Sequence, residues 1–303
     1  DTIKSLGKLI PIKKSTNIFI NYFYIIYFII ILFFELMNNS KIIHFGKIDI
    51  WPFNLLNYFF SKNIIFSQSS SYYDERMKLK SKIYNIKISR KTDSGNIITF
   101  NKNFLNEFEN IKNKKIILCE APRLTKNWVN HINKNSGLYL SKFHKNIKPN
   151  EKYIVLPISS LNIEKFLDNK FYSKILLKMI ISLNKFFPNT KIFIKPHPTT
   201  RNKELNKLIF NKKLKNLEVT YLNPNLLCSK AIFFITEIFG TPMIDAKKMG
   251  IKTIEFTKYN KATLKATKNL SIGGEHIDIF INYQTHSLDE ALKKKFKRNK
   301  VFF

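Results

Sequence analysis

The chain of 303 residues is long enough for two domains of ordinary size. Hydrophobic residues make up 44% of it and charged residues 24%, a composition that excludes an intrinsically disordered protein. The net charge of +31 favours anionic partners, but nearly all of this charge comes from lysine. Arginine, whose planar fork reads phosphates and bases specifically, is rare. We therefore expect a protein that gathers anionic substrates or lies near anionic lipid, without a specific nucleic-acid surface.

An apolar segment near the start of the chain runs from Ile18 to Met37, which is the length of a membrane span of about 20 residues. Asn21 and Glu35 interrupt this segment, and several lysines precede it. In a spanning topology those lysines would stay in the cytoplasm and the rest of the chain would be exported. We expect instead a buried or membrane-surface helix within a basic and hydrophobic N-terminal segment, residues 1–40.

Cysteine and histidine show no metal-ligand pattern. Cys119 and Cys228 lie far apart in the sequence, and we expect both to be buried thiols of a cytoplasmic protein. The histidines form no metal-binding motif, so the sequence predicts neither a metal site nor a bound cofactor.

Short apolar runs alternate with helical patterns along the whole chain. The predicted strands are Lys41–Phe45, Asn63–Phe66, Ile83–Ile88, Lys115–Cys119, Tyr153–Pro157, Lys191–Lys195, Leu217–Tyr221, Ala231–Thr236 and Lys252–Phe256. The predicted helices of the second half are Ile163–Phe187, Lys203–Phe210, Pro242–Met249 and a lysine-rich closing helix, Ser287–Lys300. This alternation predicts an α/β fold with doubly wound parallel sheets, whose ligand site lies at the carboxyl ends of the strands.

A lysine- and asparagine-rich stretch, Lys142–Lys152, is the predicted linker between two domains. It divides the chain into two Rossmann-like domains, residues 41–148 and residues 149–303. The second domain carries the cleaner strand–helix alternation, and the motifs that predict chemistry lie within it.

The first motif follows the strand KIFIK and reads Lys195-Pro196-His197-Pro198-Thr199-Thr200-Arg201. Its two prolines hold the backbone extended as it leaves the sheet. We expect His197 to be catalytic, and Lys195, Pro198, Thr199 and Arg201 to bind substrate. A histidine, a hydroxyl and two cations suit a phosphate group. The alternative is a stiff loop whose histidine caps a neighbouring backbone group.

The second motif joins the strand AIFFIT to the next predicted helix and reads Thr236-Glu237-Ile238-Phe239-Gly240-Thr241-Pro242. Thr241 is the predicted N-cap, with Pro242 in the first helical turn. A small-residue turn at a helix N-terminus binds phosphate through backbone N–H groups. Thr236, Glu237, Gly240 and Thr241 are therefore predicted substrate-binding residues, although ordinary helix capping explains Thr241 and Pro242 equally well.

The two motifs in this order resemble the C-terminal domain of GT-B glycosyltransferases, in particular bacterial capsule-polysaccharide synthesis proteins, sialyltransferases and polysialyltransferases. His197-Pro198 matches the HP motif of those families, and Thr236 with Thr241 stands where they carry paired hydroxyl residues. The resemblance covers about Tyr153 to Phe256. It implies two Rossmann-like domains, a nucleotide-linked sugar as donor (CMP- or UDP-linked) and no catalytic metal. The glycerophosphate and ribitol-phosphate polymerases of teichoic-acid synthesis share similar motifs.

The catalytic base is expected in the first half, where the resemblance assigns no single residue. Asp49 and Glu120 each follow a predicted strand and are the candidates for the base, with Asp74 and Glu75 as further carboxylates. A solvated or capping carboxylate is the alternative for each. Gly274, in a glycine turn, is predicted to close over the nucleotide, and a plain surface turn is the alternative.

The two motifs and the resemblance to GT-B glycosyltransferases together imply an inverting, metal-independent glycosyltransferase, which we expect at the inner face of the cytoplasmic membrane. Its partners are expected to be a nucleotide sugar, an oligosaccharide or glycolipid acceptor, and the membrane as a peripheral contact. Three alternatives remain open: a transferase of CDP-linked glycerol or ribitol phosphate, a nucleotide-sugar 2-epimerase, and a non-catalytic lysine-rich protein that binds nucleic acid or membrane.

Overall fold

The structure is a computed structural model that describes residues 18–46, 48–68, 91–148, 150–159, 172–197 and 216–296, together with Leu79, Lys82, Ile83 and Asn85. The chain divides into two compact units. Unit 1 consists of Asp1–Ser69 and Ser89–Cys119, and unit 2 of Ser70–Ile88 and Glu120–Phe303. The division after Cys119 falls earlier than the predicted linker, and Lys142 and Phe143 of that linker are helical.

Unit 1 contains a parallel sheet of four strands in the order β1-β2-β3-β4. Its strands are Ile42–His44 (β1), Ile64–Ser67 (β2), Asn96–Thr99 (β3) and Lys115–Leu118 (β4). Its helices are Ile18–Met37 (α1) and Asn54–Phe60 (α2). The buried core of this unit joins both helices to β2 through Leu32, Leu36, Ile48, Leu56 and Ile64.

Helix α1 is apolar along its whole length but contributes few residues to that core. Leu32 and Leu36 are buried, whereas Phe19, Phe23 and Phe34 are among its many exposed aromatic and aliphatic side chains. Among the described residues it is the one helix long and apolar enough to cross a membrane. Of the two placements expected for α1, burial in the protein applies only to its second half, where Phe28, Leu32 and Leu36 pack in the core of unit 1, and placement at a membrane surface stays a prediction.

Unit 2 contains a parallel sheet of six strands in the order β7-β6-β5-β8-β9-β10. Its strands are Tyr153–Pro157 (β5), Lys191–Lys195 (β6), Leu217–Val219 (β7), Ala231–Thr236 (β8), Lys252–Thr257 (β9) and Ile279–Asn282 (β10). The order reverses between β5 and β8, which is the topological switch point of a doubly wound sheet.

Helices cover both faces of this sheet. They are Lys126–Phe143 (α3), Tyr172–Phe186 (α4), Pro224–Cys228 (α5), Thr241–Lys248 (α6), Lys261–Thr267 (α7) and Leu288–Phe296 (α8). Ile154 and Leu156 of β5 point to the face covered by α4 and α8, and Tyr153 and Val155 to the face that contacts α3, α5 and α6. The predicted fold class, α/β with two Rossmann-like units, is confirmed.

Four local predictions need correction or lie outside the described residues. Ile83 is helical and Asn85 lies in a turn with positive φ, so no strand begins at Ile83. Cys119 is exposed, as are the four residues of β4 before it, whereas Cys228 is buried as expected. The predicted helix Lys203–Phe210 and the carboxylates Asp74 and Glu75 lie outside the described residues.

Candidate functional site

A cavity of about 350 Å³ opens in unit 2 where the strand order reverses, at the carboxyl ends of β5, β6 and β8. Parallel strands place their carboxyl ends at one edge of the sheet, and the reversal separates the loops that follow β5 and β8. The cavity is lined by the residues after these strands and by the start of two helices: Arg123, Pro157, Ile158, Ser159, Lys195, Pro196, His197, Asn223, Pro224, Thr236, Ile238, Gly240, Thr241, Pro242, Met243 and Asp245. Both predicted motifs therefore meet at one site.

Lys195 and His197 lie at the end of β6. Lys195 is half-buried, and this burial lowers the pKa of its ammonium group. Its Nζ donates a hydrogen bond to the carbonyl oxygen of Pro196 at 3.3 Å. Pro196 is buried, whereas His197 is exposed. Both predicted residues border the cavity as expected. Pro198, Thr199 and Arg201 lie outside the described residues.

Thr236 forms part of the cavity wall, but its hydroxyl group bonds to the backbone. The Oγ1 atom lies 2.9 Å from the carbonyl oxygens of both Pro157 and Ile238, and it accepts a bond from the Ile238 N–H at 3.4 Å. These contacts tie the end of β5 to the turn after β8. Thr236 thus shapes the site by fixing its turn, and its predicted role in substrate binding is not tested by this geometry.

Glu237 holds the same two segments together from inside the protein. Its side chain is fully buried, and its Oε1 atom accepts a hydrogen bond of 2.5 Å from the backbone N–H of Ser159. Ser159 borders the cavity, whereas Glu237 does not. The carboxylate therefore positions the backbone of the wall.

Helix α6 begins at the cavity. Gly240 is its N-cap, with an extended backbone, and Thr241 is its first residue, so the prediction of Thr241 as the N-cap is wrong by one position. The reason is local: Gly240 leaves the turn extended and its carbonyl oxygen accepts the N–H of Met243 at 2.9 Å. The first turn of α6, from Gly240 to Met243, faces the cavity. The backbone of such a turn attracts anions.

A second buried carboxylate, that of Glu255, stabilises the turn after β8. Glu255 Oε1 accepts hydrogen bonds from the Phe239 N–H at 2.7 Å and the Tyr259 hydroxyl at 2.6 Å, and its Oε2 accepts from the hydroxyl of Ser271. The sequence analysis did not identify Glu255. Gly274, predicted to bind substrate, lies in an exposed 3-10 turn near this network and does not border the cavity.

An ion pair that the sequence analysis missed lies on the cavity wall. Arg123, in the 3-10 turn Pro122–Leu124, places its Nε atom 3.1 Å from Oδ1 of Asp245 on α6. Asp245 is buried, and burial raises the pKa of its carboxyl group to about 6 although Arg123 opposes this shift. Both side chains border the cavity. Neither residue stands in a recognisable motif, so no signal in the sequence could pair them.

The two predicted bases lie in different surroundings. Asp49, in unit 1, accepts bonds from the Thr92 hydroxyl at 2.9 Å and the Asn57 amide at 3.3 Å, so its carboxylate braces neighbouring segments. Glu120, at the start of unit 2, is exposed and does not border the cavity. The catalytic role of each stays a prediction.

No family model and no curated protein matches this chain. Among solved structures, similarity is found to the wall teichoic acid polymerase TagF, with a TM-score of 0.49 and 14% identity over 77% of this chain and 58% of that one. The UDP-GlcNAc 2-epimerase of Methanocaldococcus jannaschii is similar with a TM-score of 0.43 and 14% identity over 72% of this chain and 64% of that one. The beta Kdo 2,4 transferase KpsC of Thermosulfurimonas dismutans is similar with a TM-score of 0.28 and 17% identity over 46% of each chain. The chain spans less than two thirds of the length of each of these proteins.

Proposed function

We propose that this chain is a glycosyltransferase of the GT-B class that takes a sugar from a nucleotide-activated donor and transfers it to a surface polysaccharide or glycolipid. The observation that carries the proposal is the cavity at the switch point of unit 2, bordered by Lys195, His197, Arg123 and the first turn of α6. Three basic side chains and a helix N-terminus suit the phosphates of a nucleotide donor. The capsule and sialyltransferase-like resemblance of the HP motif supports the same assignment.

In the proposed reaction, the acceptor hydroxyl attacks the anomeric carbon while the bond to the phosphate oxygen breaks, and the configuration inverts. Negative charge then develops on the leaving nucleotide. His197 and Lys195 stabilise that charge by donating hydrogen bonds, which strengthen as the charge grows. A carboxylate accepts the acceptor's proton. Of the two predicted bases, Asp49 and Glu120, the bracing contacts of Asp49 favour Glu120. No metal is required when fixed basic groups supply this stabilisation.

Two other enzyme classes use related substrates, and one assay separates them from the proposal. The protein is incubated with UDP-, CMP- and CDP-linked substrates, with and without a polysaccharide or glycolipid acceptor, and products are followed by NMR and chromatography. We expect nucleotide release that depends on the acceptor and sugar attached to it. Conversion of the nucleotide sugar without acceptor identifies an epimerase, and release of CMP from CDP-glycerol or CDP-ribitol identifies a polyol-phosphate transferase.

A non-catalytic protein would turn over none of these substrates. Its binding to nucleic acid or anionic vesicles would be salt-sensitive and would not depend on His197. Absence of turnover with every donor and acceptor, combined with such binding, would refute the proposed enzyme.

We also propose that the protein works at the inner face of the cytoplasmic membrane, where glycolipid acceptors are reached. The exposed apolar side chains of α1 support a peripheral contact, and unit 1 exposes further apolar side chains at Trp51, Leu55, Tyr58 and Phe59. Aromatic and aliphatic side chains of this kind insert at the lipid interface, and the basic charge of the chain attracts anionic lipid.

Membrane contact is tested by flotation with vesicles of anionic phospholipid. Because Phe23, Tyr27 and Phe34 are exposed, their replacement by serine should reduce flotation several-fold and leave the melting temperature unchanged. The matched control replaces three exposed apolar residues of unit 2, Phe143, Tyr221 and Leu270. Release of the bound protein by alkaline carbonate indicates a surface contact, and extraction by detergent alone indicates a span.

A further inference from the structure

The ion pair between Arg123 and Asp245 has a geometry that suits the binding of a phosphate group. Arg123 approaches Asp245 through Nε, at 3.1 Å from Oδ1. A guanidinium group has five N–H donors in a planar fork, and four of them belong to the two terminal nitrogens. Asp245 therefore holds the positive charge of Arg123 at the cavity wall through an ion pair beside Nε.

The burial of the two partners is unequal. The Asp245 side chain is 2% exposed, whereas the Arg123 side chain is 32% exposed, and both border the cavity. A purely structural pair is expected to hide both charges or to leave both in solvent. Here the acid is buried, whereas part of the base is exposed and borders the cavity. This arrangement leaves part of a cation accessible to an anion that enters the cavity.

The backbone also fixes Arg123 in place. It lies in a 3-10 turn directly before α3, and its carbonyl oxygen accepts a bond of 3.4 Å from the amide of Asn225, which is fully buried. Asp245 is held in the second turn of α6, the helix whose first turn faces the same cavity. The guanidinium group is thus anchored at both ends of the side chain, which lowers the entropy lost when it binds an anion.

We propose that Arg123 binds a phosphate group of the ligand in this cavity and that Asp245 is its positioning residue. The inference deepens the proposed function, because a nucleotide donor supplies such a phosphate. It makes a narrower claim as well, since a phosphate site at Arg123 would exist whichever group is transferred.

The first test measures the affinity of inorganic pyrophosphate by calorimetry at pH 7.5. Arg123→Gln should weaken binding about tenfold or more, the cost of one charge-assisted hydrogen bond. Arg123→Lys should restore only part of the affinity, because lysine lacks the planar fork. Lys248→Gln, which removes an exposed charge from the far end of α6, is the matched control and should stay within about twofold of the parent protein.

The second test separates positioning from a structural role by a pH profile. The ratio of the pyrophosphate Kd of Asp245→Asn to that of the parent protein cancels the titration of pyrophosphate and of every group that the two proteins share. At pH 7.5 this ratio should be several-fold, because the charged carboxylate holds Arg123. At pH 5 it should approach one, because the parent's Asp245 is then protonated too. A ratio independent of pH would overturn the positioning role.

The outcomes distinguish this inference from the proposed function. Pyrophosphate binding that is absent, or unaffected by Arg123→Gln, overturns the inference. Binding of pyrophosphate without binding or turnover of any nucleotide sugar defeats the proposed function and leaves the phosphate site standing. If Arg123→Gln unfolds because Asp245 loses its partner, the double variant with Asp245→Asn removes both charges together and still tests the phosphate contact.

Discussion

At the carboxyl ends of its strands, unit 1 has polar side chains that bond to one another, whereas unit 2 leaves a cavity bordered by charged groups. In unit 1, the Thr99 hydroxyl at the end of β3 donates to Oε1 of Gln68, directly after β2, at 2.8 Å, and Nε2 of His44 at the end of β1 lies 2.7 Å from the Ser94 hydroxyl. His44 Nδ1 accepts the Gly46 N–H at 3.0 Å, so Nε2 is the nitrogen that donates to Ser94. Burial lowers the pKa of His44, which agrees with a neutral ring.

This difference shows that the carboxyl edge of a parallel sheet can hold a binding site, but that parallel topology alone does not produce a cavity there. Both units follow the same topological rule, and polar residues follow the strands of both. What distinguishes unit 2 is the reversal of strand order between β5 and β8, which opens room between loops. In unit 1 the described strands follow one another in sequence order, and no such reversal occurs among them.

The largest effect is expected from His197→Ala. His197 is exposed at the cavity, and Pro196 holds the backbone before it, so the variant should fold normally. Loss of one donor to a developing anion costs on the order of 3 kcal/mol, and turnover should fall about a hundredfold or more with an unchanged melting temperature. Steady-state kinetics and thermal denaturation measure the two quantities.

Near-normal turnover of His197→Ala would show that the histidine has no catalytic role. A large drop in melting temperature would instead show that the histidine braces its loop, as the side chains of unit 1 do. The exposed His131 of α3, which does not border the cavity, provides the matched control, and His131→Ala should change neither quantity.

An effect of similar free energy is expected from the buried carboxyl group of Asp245, in this case on the stability of the fold. The pKa of its carboxyl group is about 6 in the folded protein and 3.8 when unperturbed, so the folded state binds more protons between these values. The free energy of unfolding should therefore fall as pH rises from about 4 to 6, by up to about 3 kcal/mol. Asp245→Asn should lack this fall and be the more stable protein at pH 7.

The measurement is urea denaturation of both proteins at several pH values, and the difference between them isolates Asp245 from other titrating groups. Arg123 is the charge that opposes the shift, and the neighbouring Cys228 thiol stays neutral because burial raises its pKa. If the difference in unfolding free energy between the parent protein and Asp245→Asn is the same at pH 4 and pH 7, burial of the charged carboxylate does not destabilise the protein and the prediction is wrong. A lower free energy of unfolding caused by Asp245 would show that unit 2 gives up stability at its cavity, whereas the polar side chains of unit 1 stabilise that unit.

The smallest effect is expected from Asp49→Asn in unit 1. An amide oxygen can accept the same bond from Thr92, so unfolding free energy should fall by no more than about 1 kcal/mol. Because the structure gives Asp49 bracing contacts, we expect turnover within about threefold of the parent protein. A hundredfold loss of turnover in a stable variant would make Asp49 the base and would end the contrast between the two units.

The sequence predicted the central strands of unit 2 well and missed one of its two edge strands. The strands β5, β6 and β8 were predicted with their observed bounds, because strands buried on both faces read as continuous apolar runs. The edge strand β7 was predicted from Leu217, whereas β10 at the other edge and β3 in unit 1 were missed because polar residues flank both. Helix α3 was missed because lysine and asparagine obscure its apolar stripe.

Part of the site could be predicted for the same local reason. Lys195, His197 and Thr236 follow apolar strands directly, so their place at the carboxyl edge follows from the sequence. Glu237 was found by position, but its burial against Ser159 depends on how two distant segments meet. Arg123 and Asp245 come from separate helical segments, and only the folded chain brings the two charges together.

The hydrogen bond from Thr236 to Pro157 joins residues 79 positions apart, and it belongs to the cavity wall. During folding, the chain must therefore close a long loop, which contains α4, β6 and β7, before this wall exists. Contacts of such long range make folding slow. Because a ligand can bind only once the wall has formed, the appearance of binding in a refolding experiment would time the pairing of β5 with β8.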